Sequence, residues 1–419
     1  MNQNDAMAAL AAIAASVGDF YERHPYPPPL DDIEAYRRTW DEKRRRVESH
    51  LFWPEARFRD DPRILVAGCG TMQAAHYAVR WPNAQVVGID VSERSIAFEE
   101  GLKKAHGLER LELRQLPVEK AAELQQRFDY VVCTGVLHHL PDPDAGLRAL
   151  RDVLEIGGAL HVMIYAPYGR AGVYLLQEYC RRLGIGWDAA DIRDLADVLK
   201  ALSPDHPIVP LLKRSPDFAS EAGLADALLH PNDRAYSVTQ FMDFIEGAGL
   251  RFGRWLRQAP YLPSCGAIAA TSHAGRLERL ALVEQYAAME LFRGTMVRHS
   301  AILYRSDGQP TEIDFRGDAW LDYVPIRLPE TIVVHERLPA GAAAVLINRS
   351  HEYTDLYLPI DALQERLFES IDDRRTIRQM GRATIDRELS RDFFRQLWQW
   401  DQIVFDTSSI LASNTERTV

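Results

Sequence analysis

The chain has 419 residues, 47% hydrophobic and 26% charged, enough for roughly two or three ordinary globular cores. Its net charge of −11 opposes general attraction to phosphate backbones, so no nucleic-acid partner is expected. No apolar run approaches the roughly 20 residues that cross a bilayer, so no membrane partner is expected either.

The four cysteines, Cys69, Cys133, Cys180 and Cys265, show neither metal-ligand spacing nor a disulfide framework. Cys69 and Cys133 lie in strand-like apolar contexts and read as small buried hydrophobes. No metal is expected. Ala6 to Val17 is apolar, but Asp5 precedes it and no Lys or Arg does. It reads as a local helix and not as a secretory signal, and the expected location is the cytoplasm. Asp19 to Pro29 reads as an extended arm, because its prolines remove donors and restrict their neighbours. Trp40 to His50 is a charged helix.

A regular alternation then begins. Arg63–Ala67 is an apolar strand that runs into Gly68-Cys69-Gly70, and Thr71–Arg80 follows as a helix. Gln85–Asp90 is a second strand, and Ser92 caps the next helix. Leu111–Arg114 and Phe128–Cys133 are further strands. Ala145–Leu154 is a helix closed by Gly157-Gly158, and Ala159–Tyr165 is a fifth strand. Strands and helices at this spacing imply right-handed βαβ units and a parallel sheet. Gly172–Leu183 and Asp188–Leu202 read as helices outside the alternation. Ser237 caps a helix to about Gly249, Leu250–Trp255 returns to the sheet, and Leu277–Phe292 is an amphipathic helix. Residues 300–349 are β-rich. Residues 360–405 are helical, with a terminal strand at Ile403–Phe405.

The chemistry concentrates where a strand meets Gly68-x-Gly70, a helix, a second strand and Asp90. Glycines let the backbone turn sharply and approach a ligand closely. An acid at the end of the second strand accepts both hydroxyls of a ribose. Gly68 and Asp90 are 22 residues apart, near the roughly 20 of that geometry. A dinucleotide fingerprint needs a third glycine where Gln73 stands. Its absence favours a cofactor without phosphates.

Four stretches in order resemble the class I S-adenosylmethionine-dependent methyltransferases: Ile64–Thr71, Val87–Ser92, Phe128–Asp142, and Leu147–Gly158 followed by a strand. The resemblance covers about residues 60–165. It implies a doubly wound, mostly parallel Rossmann-like α/β sheet, here with an α+β C-terminal extension, and S-adenosyl-L-methionine as cofactor. By the same resemblance Gly68 and Gly70 line the methionine end, Asp90 holds the ribose, and Thr134 and Gly135 lie near the methionine. The chain departs from the family at Ala67, where an acid is common, and at Met72, where a third glycine is common. Gln73 and the arm around Tyr21 are therefore candidates to hold the cofactor's amino group. Gln115 or Glu119 is the candidate for the adenine amine.

His138 and His139 follow the fourth strand and are candidate general bases, since imidazole titrates near neutral pH. A loop that packs on the cofactor is the alternative, because positioning and desolvation supply much of the acceleration of methyl transfer. The fourth strand is not followed by Asn-Pro-Pro-Tyr, a run common in enzymes that methylate DNA bases, which argues against that acceptor. Between Asp226 and Ser237, polar and aromatic residues crowd outside the regular pattern. Asp226, His230, Asp233, Arg234 and Tyr236 are candidates to line the acceptor pocket, with Tyr168 and Arg170 beyond the fifth strand. A capped loop with an Asp233–Arg234 salt bridge is the structural alternative. The arm from Tyr21 to Tyr26 either closes over the site or simply packs.

The expected divisions are 1–60, an N-terminal arm and helix that can act as a lid; 61–260, the cofactor-binding domain with an acceptor-covering insertion at 166–240; 261–350, a connecting region; and 351–419, a helical region. The last resembles a winged-helix unit, with three short helices and a strand, but it lacks a basic recognition helix. It is expected to serve protein contact or homodimerisation. The expected activity is methyl transfer to an O, N or C acceptor on a small molecule or protein side chain. The alternatives are a cofactor-binding regulatory protein without turnover, or a regulator acting through the C-terminal region.

Overall fold

Five strands alternating with helical segments form the parallel part of a seven-stranded sheet. They are β1 (Arg63–Ala67), β2 (Gln85–Asp90), β3 (Leu111–Gln115), β4 (Phe128–Thr134) and β5 (Leu154–Tyr165). β6 (Leu250–Trp255) and β7 (Arg298–Arg305) complete the order β3-β2-β1-β4-β5-β7-β6, with β7 antiparallel to β5. The helices Gln73–Arg80, Glu93–His106 and Pro143–Val153 connect the parallel strands. Ile64 to Ala67 and Tyr130 to Cys133 are fully buried, as expected of strands covered on both faces. The chain leaves β1 toward β2 on one side and reaches β4 on the other. The loops after β1 and β4 therefore flank the crevice where the strand order reverses, the place where open α/β sheets bind ligands.

The computed structural model describes residues 3–27, 33–308, 313–380 and 386–408. The chain divides into two units, and the first comprises Met1–Thr39, Asp60–Phe252 and Arg293–Gly308. Between β5 and β6 it carries an insertion of helices, Ala171–Leu183, Ala189–Val198, Val209–Arg214 and Glu221–Leu229. These surround a separate apolar core containing Val173, Leu176, Ile192, Leu195, Leu224 and Leu228. Phe20, from the helix Gln3–Arg23, completes that core and is fully buried in it.

The expected arm from Asp19 is shorter than its sequence suggests, because the first helix continues to Arg23. The first proline is Pro25, so the residues up to His24 keep their donors, and His24 N still bonds Phe20 O at 2.9 Å. Residues 28–32 of the arm lie outside the described residues. Gly157 and Gly158 do not close a helix; they fall inside β5, where the register to β4 shifts between Phe128 and Tyr130. Ser92 and Ser237 cap their helices as expected.

The second unit comprises Trp40–Arg59, Gly253–Phe292 and Gln309–Val419. Its strands are β8 (Val324–Arg327), β9 (Thr331–Val334), β10 (Ala344–Asn348), β11 (Tyr357–Ile360) and β12 (Ile403–Asp406). They form a β11-β10-β9 sheet and a β12-β8 pair, both antiparallel. The amphipathic helix starts at Leu282, after a separate turn of helix at Ala274–Leu277. The helices Ala362–Glu369 and Arg387–Gln399 occur as expected. The second of the three expected helices is absent among the described residues after Asp372: Asp372 Oδ1 accepts from Arg374 N and Arg375 N, and residues 377–380 are turns. Residues 381–385 lie outside the described residues. The terminal strand pairs with β8 and so does not form a local wing. Asp401 is buried at the centre of this unit, with Arg254 Nη2 at 3.1 Å, Ala259 N at 3.0 Å and His351 Nε2 at 3.2 Å on its carboxylate.

Removing the Phe20 ring leaves a cavity in the insertion core. Phe20→Ala is expected to lower the opening free energy of the helix Glu221–Leu229 by about 3–5 kcal/mol, read by amide hydrogen exchange.

Candidate active site

The turn after β1 is held by its neighbour strand. Gly68 N and Cys69 N both donate to Ile89 O, at 2.8 and 3.0 Å. Gly68 and Gly70 have φ of +70° and +57°, the left-handed region that favours glycine. A Cβ on Gly68 would run into the Val136 side chain, so the loops after β1 and β4 are in close contact. Asp90 closes the turn, with Gly70 N donating to its Oδ2 at 2.8 Å and Ser92 N to its Oδ1 at 2.9 Å. Burial pushes the Asp90 carboxyl up, and the two amide donors oppose the rise. Gln73 Nε2 donates to Thr134 Oγ1 at 2.7 Å, tying the helix after β1 to the end of β4.

A second carboxylate lies beneath this turn. Glu99 is fully buried, and its two oxygens accept from Ala74 N and Ala75 N at 2.8 and 2.9 Å. It therefore occupies N-terminal amides of the helix Gln73–Arg80, the groups that hold phosphates in dinucleotide-binding folds. Burial pushes its carboxyl up to about 8, against the pull of those two amides.

The end of the first helix covers the turn. Ser92 Oγ donates to Tyr21 O at 3.5 Å, and Arg94 Nη1 donates to Glu22 O at 3.3 Å. Tyr26 O lies 2.5 Å from where a Cβ of Gly70 would stand, and Thr71 Oγ1 donates to Pro27 O.

Beside the loop after β4 is a buried polar cluster. Tyr21 OH donates to Asp226 Oδ1 at 3.1 Å and Tyr165 OH to Asp226 Oδ2 at 3.4 Å. His138 stacks near Tyr165, with ring centroids 3.9 Å apart, and His139 lies 3.9 Å from His230. Arg170 lies over the Tyr165 ring at 3.5 Å, and its Nη2 donates to Asp233 Oδ2 at 3.2 Å. Gln177 Nε2 donates to the same oxygen at 2.8 Å. Four buried groups keep unpartnered atoms: both ring nitrogens of His138, Nε2 of His139, Nε2 of His230, and Asp233 Oδ1. Burial holds His138 and His230 well below the usual histidine range, so both imidazoles are neutral near pH 7.

Gly68, Gly70, Gln73, Asp90, Thr134 and Gly135 thus gather around the crevice between β1 and β4. Tyr21, Arg170, His138, His139 and His230 meet in the adjoining cluster. The Tyr26 carbonyl lies against Gly70, and after burial and Asp226 its phenol is among the groups that raise the Tyr165 hydroxyl. Tyr168 is 42% exposed. Gln115 is exposed, and its Nε2 donates to Val91 O at 3.0 Å. Glu119 is half-buried in the turn Val118–Leu124 after β3, where burial raises its carboxyl. The expected Asp233–Arg234 pair does not form. Asp233 pairs with Arg170, while Arg234 donates to Leu140 O and Pro141 O at 2.7 and 3.2 Å. Tyr236 stacks on Phe244, 5.2 Å away. Sequence reasoning missed Tyr165, Gln177 and Glu99. Tyr165 had a usable signal, being the last residue of a parallel strand, where ligands gather.

A family model described as a methyltransferase domain matches residues 59–170, which contain the glycine turn, Asp90 and the histidine pair. An uncharacterized protein of Synechococcus is 30% identical over 305 residues, covering 70% of this chain and 72% of the relative. The chain belongs to the class I S-adenosylmethionine-dependent methyltransferases. The ubiquinone biosynthesis O-methyltransferase of Acinetobacter baumannii is 27% identical over 150 residues, 36% of this methyltransferase and 58% of that relative. The chain thus spans under two thirds of that enzyme. PKMT2 from Rickettsia typhi shares the fold, with a TM-score of 0.60 over 90% of this methyltransferase and 76% of that chain, at 17% identity.

The raised Glu99 carboxyl has a signed consequence. Its ordinary value is 4.5 and its folded value about 8, so its contribution to stability is fully present below the first and is lost as pH rises through the second. The stability difference between wild type and Glu99→Gln is expected to move against the wild type from about pH 5 to about pH 9. Urea unfolding midpoints at the two pH values check it; a constant difference contradicts the assignment.

Proposed function

We propose that this methyltransferase transfers its methyl group to a hydroxyl oxygen of a small molecule held in the cluster beside β4. The observation that carries the reading is the set of unpartnered imidazole nitrogens in a buried cluster beside the loop after β4. A buried polar atom without a partner costs about 1–3 kcal/mol, so a ligand that supplies a hydrogen bond there is favoured. The enclosure favours a small acceptor over a folded protein surface. The relative named for O-methylation supports an oxygen acceptor.

The residues present fit S-adenosylmethionine. Each Asp90 oxygen accepts one amide and keeps a lone pair for a ribose hydroxyl. We assign the methionine end to the backbone of the Gly68–Gly70 turn, whose missing Cβ atoms let it close against Val136 and Tyr26 O, with Thr134 and Gly135 bordering it from the β4 side. The Gln73 amide NH2 is directed to Thr134, which leaves its carbonyl oxygen to accept from the cofactor's amino group. Glu119 is the group we assign to the adenine amine. When bound, the cofactor supplies an electrophilic methyl on a sulfonium sulfur.

The remaining work belongs to the chain. Tyr21, Asp226 and Tyr165 form a hydrogen-bonded wall that fixes the acceptor's orientation. His138, His139 and His230 line the place where the acceptor O–H gives up its proton. Tyr26 and Pro27 cover the glycine turn and exclude water, so most of the acceleration comes from alignment and desolvation. Arg170 holds Asp233 and the Tyr165 ring in place. Arg234 acts at one remove by fixing Leu140 and Pro141, Tyr236 by donating its N–H to Tyr165 O at 2.9 Å, and Tyr168 stands at the outer rim.

Asp90→Ala removes the ribose acceptor and unpairs Gly70 N and Ser92 N. Calorimetry with S-adenosylhomocysteine is expected to show affinity reduced about 10–100-fold, the equivalent of one or two charge-assisted hydrogen bonds. Unchanged affinity in a folded variant overturns the ribose assignment. Transfer of labelled methyl from S-adenosylmethionine to a panel of phenols, alcohols and amines tests the acceptor; product found only on amines overturns the oxygen assignment.

A further inference from the structure

The histidine cluster carries more than an acceptor wall. One possible ligating atom from each of His138, His139 and Asp233 lies within 4.8 Å of the other two. Ligand atoms around a single tetrahedral ion at about 2.0–2.2 Å stand about 3.3–3.6 Å apart, so the three close by up to about 1.5 Å on the ion. We infer that His138, His139 and Asp233 bind one divalent transition-metal ion, of the Zn2+ or Mn2+ class, which receives the acceptor oxygen. The inference rests on the acceptor reading above.

The groups around the cluster are arranged as supports for ligands. Asp233 spends one oxygen, Oδ2, on Arg170 and Gln177, and its Oδ1 makes no hydrogen bond, with His139 Nδ1 3.9 Å away. Ligating carboxylates are commonly braced in this way by outer hydrogen bonds. The His139 Nδ1 is 2.9 Å from Asn232 O, a contact that places the proton on Nδ1 and the lone pair on Nε2. Asn232 is itself fixed, its Nδ2 donating to His139 O and Leu140 O at 2.8 and 2.9 Å. His138 makes no hydrogen bond through either ring nitrogen although it is fully buried. Two imidazoles and one carboxylate with open positions make a donor set suited to first-row dications.

Arg170 already pairs with Asp233, 3.2 Å away, so this cation of the cluster is held before an ion enters. A metal-bound hydroxyl loses its proton more readily than one in water.

The full-length protein, loaded with Co2+ and desalted, is expected to retain about one equivalent of metal and to show a visible absorption band. Loading with Zn2+, measured by atomic emission, is expected to give the same stoichiometry. His138→Ala and Asp233→Asn are each expected to lose the bound metal and the band. His138→Ala breaks no hydrogen bond, so it reports on the ion even where Asp233→Asn disturbs the fold. S-adenosylhomocysteine binding, measured on the same samples, is expected to persist in His138→Ala. Metal below about a tenth of an equivalent in the wild type, or equal amounts in wild type and His138→Ala, overturns the inference. Retained cofactor binding in that case leaves the methyl-transfer reading standing, whereas lost cofactor binding with metal retained counts against that reading alone.

Discussion

Asp90 accepts from two backbone amides at once, Gly70 N on one oxygen and Ser92 N on the other. That bridge joins the turn after β1 to the turn after β2 and sets both before any ligand arrives. A buried carboxylate alone is costly, and the two donors offset much of that cost. The same amides leave one lone pair on each oxygen, so the group that shapes the turn can also read a ribose. A site preformed in this way loses less freedom on binding than one that must order its loops.

Glu99 explains why the site suits a cofactor without phosphates. The first turn of the helix Gln73–Arg80 is filled by a side chain of the protein itself. A pyrophosphate would have to compete with a resident carboxyl for the same amides. The missing third glycine at Gln73 and the buried acid at Glu99 are thus two sides of one arrangement. One removes the close backbone approach, and the other removes the donors.

Much of the sheet was legible in the sequence. Gln85–Asp90 is matched to the residue, because a short apolar run between turn signals has few alternatives. The glycine turn and Asp90 were legible for the same reason, since they sit at the ends of strands. The buried polar cluster was legible as a list of candidates but not as an arrangement. The structural alternative of an Asp233–Arg234 pair does not form, and Asp233 bonds Arg170, 63 residues away. Nothing local distinguishes those two arginines; the insertion helices bring the distant one in. Glu99 was invisible because a glutamate in a helix looks like any solvated residue until the packing places it under the next turn. The C-terminal region misled in the opposite direction, since its helical spacing is real but its strands pair across long separations.

The insertion core borrows Phe20 from a helix made long before the rest of it. Tyr21 and Asp226 are separated by 205 residues of chain. During synthesis the helix Gln3–Arg23 must therefore wait through the whole glycine turn, both histidines and most of the sheet before its partner emerges. An amphipathic segment held in waiting is exposed to wrong partners, and pairings this distant in sequence are slow to form. The first helix and the insertion thus complete each other's packing only late in synthesis. A nascent chain stopped before Leu229 would carry the cofactor turn already formed but uncovered.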